Sequence, residues 1–115
     1  MPLPSSGEMS RFGTGAVRDS MRYKGLPHEM PMSALRAVSR RFEDGAEKYG
    51  RGNWKKGIPL SRYIDSIYRH LWDFMQGDES EDHLSALLWN AMCLYETKDR
   101  IDEEVLPESL NDIGL

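Results

Sequence analysis

The chain has 115 residues, 39% of them hydrophobic and 30% charged, and a formal net charge of −4 at pH 7. This length suits a single domain, residues 1–115, whose modest core gains stability from a partner subunit. The negative charge argues against nucleic-acid binding, and no apolar run is long enough for a membrane span or a signal segment. We therefore expect a cytoplasmic protein with its single cysteine, Cys93, buried in the core.

The N-terminal part of the chain, residues 1–31, contains several glycines and prolines and shows no helical periodicity. We expect an irregular N-terminal arm, loose over residues 1–12 and ordered over residues 13–31. The ordered part is charged and includes Arg18. Composition favours a solvated segment over one that wraps across a site.

Three later stretches carry apolar residues at helical spacing. They predict helices from Met32 or Ser33 to Tyr49, from Ser61 to Gln76, and from Glu81 to Arg100. Residues 101–115 have a weaker apolar pattern, which predicts a short helix or a docking tail. The predicted fold class is all-α: a helical bundle of three main helices plus a C-terminal tail. Aromatic faces without partners in the chain predict a homo-oligomer, a dimer or tetramer, that completes the bundle.

The third predicted helix carries both apolar and polar residues on its inner side. The apolar residues expected to face inward are Leu84, Leu87, Leu88, Ala91, Leu94 and Tyr95. His83 and Asn90, a heptad apart, are expected on the same side. These two polar side chains need partners, because burial without hydrogen bonds costs on the order of 1–3 kcal/mol each.

Carboxylates and histidines lie on or beside the apolar faces of the predicted helices. Glu43 and Glu47 are one helical turn apart and border the first apolar stripe, and His70 lies on the inward side of the second helix. Hard oxygen ligands of this kind suit Mg²⁺ or Mn²⁺. A solvated acidic rim is the competing interpretation. The candidate metal ligands are Glu43, Glu47, Asp73, Glu79 and Asp82.

A cationic, aromatic loop, KYGRGNWKKG at residues 48–57, separates the first two helices. Its glycines permit close backbone approach to a ligand, and its bases can hold the oxygens of a phosphate chain. An ordinary turn with solubilising lysines explains the loop equally well. The candidate substrate-binding residues in and near the loop are Lys48, Arg51, Asn53, Trp54, Lys56 and Arg69, and those elsewhere are Arg18, His83 and Asn90.

Several familiar catalytic motifs are absent from the sequence. The His-Asp dipeptide of HD-type phosphohydrolases occurs here only in reverse, as Asp82-His83. There is no HExxH, paired CxxC, Walker A or GxSxG motif. These absences exclude most common nucleotide and protease chemistries.

Three runs of sequence resemble the phage dATP/dGTP diphosphohydrolase family. They are GAEKYGRGNWKKG at residues 45–57, RYIDSIYRHLWDFMQGDE at residues 62–79 and HLSALLWNAMCL at residues 83–94. The family is similar in function to the MazG-like all-α nucleotide pyrophosphohydrolases, including the MazZ enzymes of phages whose DNA contains 2-aminoadenine. The chain departs from the family's pattern at Asp78, where a Glu is usual, and at Ala86, where a second His is common.

The resemblance implies an enzyme that uses Mg²⁺ or Mn²⁺ to hydrolyse a purine deoxynucleoside triphosphate, dGTP or dATP, to the monophosphate and pyrophosphate. This reaction would remodel the nucleotide pool during phage infection, in the host cytoplasm. The expected partner is the nucleoside triphosphate substrate, with no nucleic acid and no membrane. The catalytic candidates are Glu43, Glu47, His70 and Asp73. The alternative is a non-enzymatic helical interaction or regulatory module.

Overall fold

The computed structural model describes residues 7–114. The described residues form two compact units, residues 7–31 and residues 32–114. In the first unit, strands β1 (Met9–Arg11) and β2 (Val17–Asp19) pair antiparallel, and a 3₁₀ turn follows at Pro27–Glu29. The sequence did not predict this hairpin, because strands of three residues are too short to show a period. Of the predicted loose arm, residues 1–6 lie outside the described part of the chain.

The second unit contains three helices, α1 (Met32–Tyr49), α2 (Leu60–Met75) and α3 (His83–Asp102). Each begins and ends within about two residues of its predicted bounds, and the all-α class is confirmed. The helix α3 begins after Asp82, whose carboxylate accepts a hydrogen bond from the backbone N–H of Ser85 at 3.2 Å. Short 3₁₀ turns lie at Asn53–Lys56 and Glu108–Leu110.

The core of the second unit forms where α3 packs against both α1 and α2. The buried apolar side chains are Val38, Leu60, Tyr63, Ala86, Cys93 and Ile101. The buried face of α3 also carries four polar residues, His83, Ser85, Asn90 and Thr97. Small side chains on this face allow the neighbouring helices to approach closely.

Of the α3 side chains that were expected to face inward, Leu87, Ala91 and Leu94 are half-buried and three others are exposed. Leu84, Leu88 and Tyr95 are 45%, 38% and 75% exposed, so the prediction that they face inward is wrong within the single chain. On α2, Leu71, Trp72 and other apolar side chains are exposed as well. None of the helices in residues 7–114 is both long and apolar enough to span a membrane.

The C-terminal tail docks on the start of α2. The carboxylate of Asp112 accepts hydrogen bonds from the Ser61 backbone N–H at 2.9 Å and from the Ser61 hydroxyl at 2.5 Å. Pro59 precedes the helix and makes no side-chain cap. Gly57 has a φ of 108°, and a Cβ added there would lie 2.8 Å from Leu110 Cδ1. The tail therefore crosses this loop where only glycine fits without strain.

Candidate active site

A cavity of about 780 Å³ is lined by residues of α1, α2, α3 and the loop between α1 and α2. Its lining combines aromatic, basic and polar side chains. The aromatic ones are Phe42, Tyr49, Trp54, Tyr63 and Trp89; the basic ones are Arg51, Lys55, Arg62 and Arg69; the polar ones are Glu43, Asn53, Ser66 and Asn90. The volume falls within the range of small-molecule and cofactor sites.

Aromatic rings connect the three helices around this cavity. The ring centre of Phe42 lies 6.2 Å from that of Trp54 and 5.9 Å from that of Trp89. Trp89 in turn lies 6.2 Å from Tyr63. The buried Nε1 of Trp89 has no hydrogen-bond partner among residues 7–114. A buried donor of this kind is normally satisfied, so a bound ligand is one natural partner for it.

The basic side chains of the cavity are not paired with carboxylates. Within the described part of the chain, neither Arg51, Arg62 nor Arg69 takes part in an ion pair. Arg69 donates instead to the Ser66 hydroxyl at 2.9 Å. Glu43 brings one carboxylate to the same lining. The cavity therefore offers positive charge to an anionic ligand and one acidic oxygen donor beside it.

A second cluster joins the end of α2 to the start of α3 through two histidines. His70 Nδ1 and His83 Nδ1 are 2.9 Å apart, and His83 Nε2 is 2.5 Å from Asp78 Oδ2. Glu81 Oε1 lies 4.0 Å from His70 Nδ1. His83 is only 5% exposed. We call His70, Asp78, Glu81 and His83 the histidine–acid cluster.

Arg41 of α1 fixes the acidic side of this cluster. Its Nε donates to the Ser85 hydroxyl at 3.0 Å, and its Nη2 donates to the Asp82 carbonyl oxygen at 2.6 Å. The same Nη2 lies 3.2 Å from Glu81 Oε1. One guanidinium therefore ties α1 to the first turn of α3.

Burial and hydrogen bonding shift the pKa values of the cluster. Burial lowers the pKa of His70, although the Glu81 carboxylate opposes this effect. Hydrogen bonds from the Ser80 hydroxyl and from His83 lower the pKa of Asp78. Near neutral pH these shifts favour a neutral His70 beside an ionised Asp78.

Two groups of side chains among residues 7–114 have the spacing of a metal site. One is His70, Glu81 and His83, and the other is Asp73, Asp78 and His83; in each group the ligand atoms lie within 4.8 Å of one another. Next to them, a depression of about 380 Å³ is lined by Asp78, Glu79, Glu81, Asp82 and His83, with two apolar residues. Of the predicted site residues, His70, Asp73, Glu79, Asp82 and His83 therefore lie in or around this region.

The remaining predicted site residues divide into two sets. Glu43, Arg51, Asn53, Trp54, Arg69 and Asn90 line the 780 Å³ cavity. Glu47, Lys48 and Lys56 are exposed and outside that lining, and Arg18 lies on β2 of the first unit. Neither Glu43 nor Glu47 belongs to the two metal-type groups found among residues 7–114. Their roles stay predictions.

Sequence reasoning missed three residues that the structure places at the histidine–acid cluster. Asp78 and Glu81 were not among the predicted site residues, because the sequence does not show how the segment between α2 and α3 folds back on His83. Arg41 was one of many bases in the middle of the chain. Its position between Val38 and Phe42, which both pack inward, was the available signal.

The all-α domain therefore has a cavity that is lined by basic and aromatic side chains and has the size of a small-molecule site. A model of the family described as dATP/dGTP diphosphohydrolase, N-terminal, matches residues 14–105. The protein therefore belongs to this family, and the resemblance inferred from its motifs is confirmed. Comparison with curated proteins and with solved structures finds no match.

Proposed function

We propose that the protein hydrolyses a purine deoxynucleoside triphosphate, dGTP or dATP, to the monophosphate and pyrophosphate. The observation that carries the proposal is the 780 Å³ cavity, in which aromatic rings, unpaired bases and a carboxylate line one space. The family's description names dATP and dGTP as substrates. We further propose that the reaction serves phage nucleotide-pool remodelling in the host cytoplasm.

The side chains of the cavity suit the separate parts of such a substrate. Trp54 and Phe42 offer aromatic surface to the base, and stacking of a base on an aromatic side chain contributes about 1–3 kcal/mol. Arg51 and Arg69 are free to pair with phosphate oxygens, since neither is held by a carboxylate in the described part of the chain. Asn90 donates its Nδ2 to the Ala86 carbonyl oxygen at 2.8 Å, which leaves Oδ1 as an acceptor.

Mg²⁺ or Mn²⁺ forms part of this proposal because the available donors are of the type these ions prefer. The structure places the carboxylate of Glu43 at the cavity and those of Glu79 and Asp82 at the depression beside His83. With Glu47 and Asp73, these residues are the proposed ligands, and they would hold more than one ion, because Glu43 and the pair Glu79 and Asp82 line different pockets. When bound, the ion neutralises triphosphate charge and activates the attacking water.

The proposed reaction is attack of water on the α-phosphorus. The bond from that phosphorus to the α,β-bridging oxygen breaks, and pyrophosphate leaves with the electron pair. Charge develops on the leaving group, where the bases of the cavity stabilise it. Glu43, or His70 in its neutral form, would accept a proton from the water.

Hydrolysis in ¹⁸O-labelled water tests the position of attack. Each deoxynucleoside triphosphate is incubated with the full chain and Mg²⁺ or Mn²⁺, and the products are resolved by mass. The label is expected in the monophosphate and absent from pyrophosphate. Label in pyrophosphate would place attack on the β-phosphorus, and release of orthophosphate would mean a different reaction.

Thermal melting separates an enzyme from the alternative, a helical interaction module. Mn²⁺ and dGTP together should raise the melting temperature, because a ligand that binds only the folded state stabilises it by RT ln(1 + [L]/Kd). An interaction module would neither respond to the pair nor hydrolyse any of the triphosphates.

A further inference from the structure

The histidine–acid cluster holds one imidazole in a fixed orientation. His83 is 95% buried, and its Nε2 lies 2.5 Å from Asp78 Oδ2. An ionised carboxylate can only accept a hydrogen bond, so at this contact His83 Nε2 is the donor and carries the proton. In the neutral ring, Nδ1 then has a free lone pair, and that atom faces His70 Nδ1 at 2.9 Å.

Three potential ligand atoms converge at this point. In a tetrahedral site with metal–ligand bonds of about 2.0–2.1 Å, ligand atoms are about 3.3 Å apart. His70 Nδ1 is 2.9 Å from His83 Nδ1 and 4.0 Å from Glu81 Oε1. These separations fall on either side of the tetrahedral value, so small side-chain rotations bring all three atoms within bonding distance of one ion.

We propose that His70 and His83, through their Nδ1 atoms, and Glu81, through its carboxylate, bind a divalent transition-metal ion such as Zn²⁺ or Co²⁺. Imidazole nitrogen selects these ions over Mg²⁺, which prefers an all-oxygen shell. The site goes beyond the proposed function, because it exists without nucleotide and differs in its donor atoms from the carboxylate set proposed for Mg²⁺ or Mn²⁺.

The surroundings of the three ligands match those of known metal sites. A metal-bound histidine usually donates its second ring N–H to a carboxylate, which orients the ring, and Asp78 has this position beside His83. Arg41, 3.2 Å from Glu81 Oε1, positions that side chain. The exposed carboxylate of Asp73 lies within 4.8 Å of the His83 and Asp78 ligand atoms and would offset part of the positive charge of the ion.

Metal binding requires only that His70 change its tautomer. Without metal, the proton on His70 Nδ1 is donated to His83 Nδ1. With metal, His70 carries its proton on Nε2, so the Nδ1 lone pairs of both histidines point at the ion. Both imidazole rings stay neutral.

Titration of the metal-free full chain with Co²⁺, followed by visible absorption, tests the site without nucleotide. We expect one Co²⁺ per chain, an intense tetrahedral d–d band, and displacement by Zn²⁺ but not by a hundredfold excess of Mg²⁺. His70→Gln and Glu81→Gln should each weaken binding at least tenfold. His28→Gln is the matched control, because His28 belongs to neither metal-type group, and it should bind normally.

Two further measurements keep the proposal falsifiable. Circular dichroism confirms that the variants fold, and Asp78→Asn should weaken binding about 10–100-fold, as for other residues that orient a metal ligand. Absence of the d–d band, or wild-type binding by both His70→Gln and Glu81→Gln, would overturn the proposal. Loss of binding in Asp73→Asn with normal binding in Glu81→Gln would also overturn it. The ¹⁸O experiment tests the proposed hydrolysis separately. If the metal site is confirmed, Glu43 and not His70 accepts the proton of the attacking water, because both ring nitrogens of His70 are then engaged.

Discussion

At the scale of single residues, Glu43 provides the most direct test of the cavity. It is an exposed carboxylate on α1 that lines the cavity beside Arg51 and Trp54. Glu43→Gln keeps the size of the side chain and removes its charge. We expect kcat to fall at least about 100-fold, a size typical of the loss of a general base, with an unchanged helical circular dichroism spectrum.

Asp44→Asn is the matched control for this variant. Asp44 is the next residue, is also exposed, and is not among the cavity's lining residues. The same loss of charge there should leave turnover within about twofold of wild type. Equal activity of Glu43→Gln and Asp44→Asn would remove Glu43 from the mechanism.

The sequence did not show which candidate side chains lie together. Arg51, Trp54 and Asn90, which were named as substrate-binding candidates, line one cavity, and their roles stay predictions. Glu81 and Asp78 were not predicted, because their contacts depend on how the segment between α2 and α3 folds back on His83. Side chains brought together by an irregular segment leave no periodic signal.

At the scale of secondary-structure elements, the tail supplies a cap that α2 lacks. The first N–H groups of a helix have no partner within it, and Asp112 accepts from one of them at Ser61. Hydrogen bonds from the Ser61 hydroxyl and backbone lower the pKa of Asp112. The ionised form is therefore favoured in the folded protein.

Substitution of Asp112 should lower the melting temperature at pH 7 in a graded way. Asp112→Asn retains one acceptor and Asp112→Ala retains none, so we expect losses of a few degrees that are larger for alanine. The contribution of the charge is present above the unfolded pKa of about 4 and is lost as pH falls through the lowered folded value.

The pH dependence of these variants checks the assignment. The difference in melting temperature between wild type and Asp112→Asn should shrink as the pH falls below about 4. A constant difference from pH 7 to pH 3 would show that the ionised carboxylate does not act as a cap.

The helices were predictable because apolar residues at helical spacing indicate both the type of a secondary-structure element and its bounds. Which face of α3 is buried could not be predicted. It carries two candidate faces, one with large apolar side chains such as Leu84 and Leu88, and one with small or polar side chains such as Ala86 and Cys93. The larger residues gave the stronger pattern, but the smaller ones face the chain's own core.

At the scale of the whole molecule, the exposed apolar stripes predict self-association. Leu84, Leu88 and Tyr95 share one face of α3, and Leu71, Trp72 and Met75 share one face of α2. Contiguous exposed apolar surface on helices marks an interaction site. We propose that a second copy of the chain covers these faces, since the same stripe on two copies forms a symmetric interface.

Leu88→Glu tests this interface. Wild type should be a dimer or tetramer by light scattering at assay concentration, and Leu88→Glu should shift it to monomer with reduced activity. Met21→Glu introduces the same charge at an exposed methionine of the first unit and should keep the wild-type mass. A fully active wild-type monomer would contradict the proposal.

The chain has a single thiol, Cys93, which lies in the core between the helices. Its reactivity can therefore be used to measure how often the core opens. Cys93 is 1% exposed, and burial, with a smaller contribution from the charge of Glu96, raises its pKa to about 12. The thiolate is the reactive form, so a thiol reagent should modify the native protein only when α3 separates from its neighbours.

The labelling rate of Cys93 therefore measures how often the core opens. Ligands that bind the closed state should slow labelling in proportion to their occupancy, and denaturant should accelerate it. Ellman's reagent gives the rate directly, with unfolded chain as the fast reference. Labelling of the native protein at the unfolded rate would mean that α3 leaves the core far more often than its buried face implies.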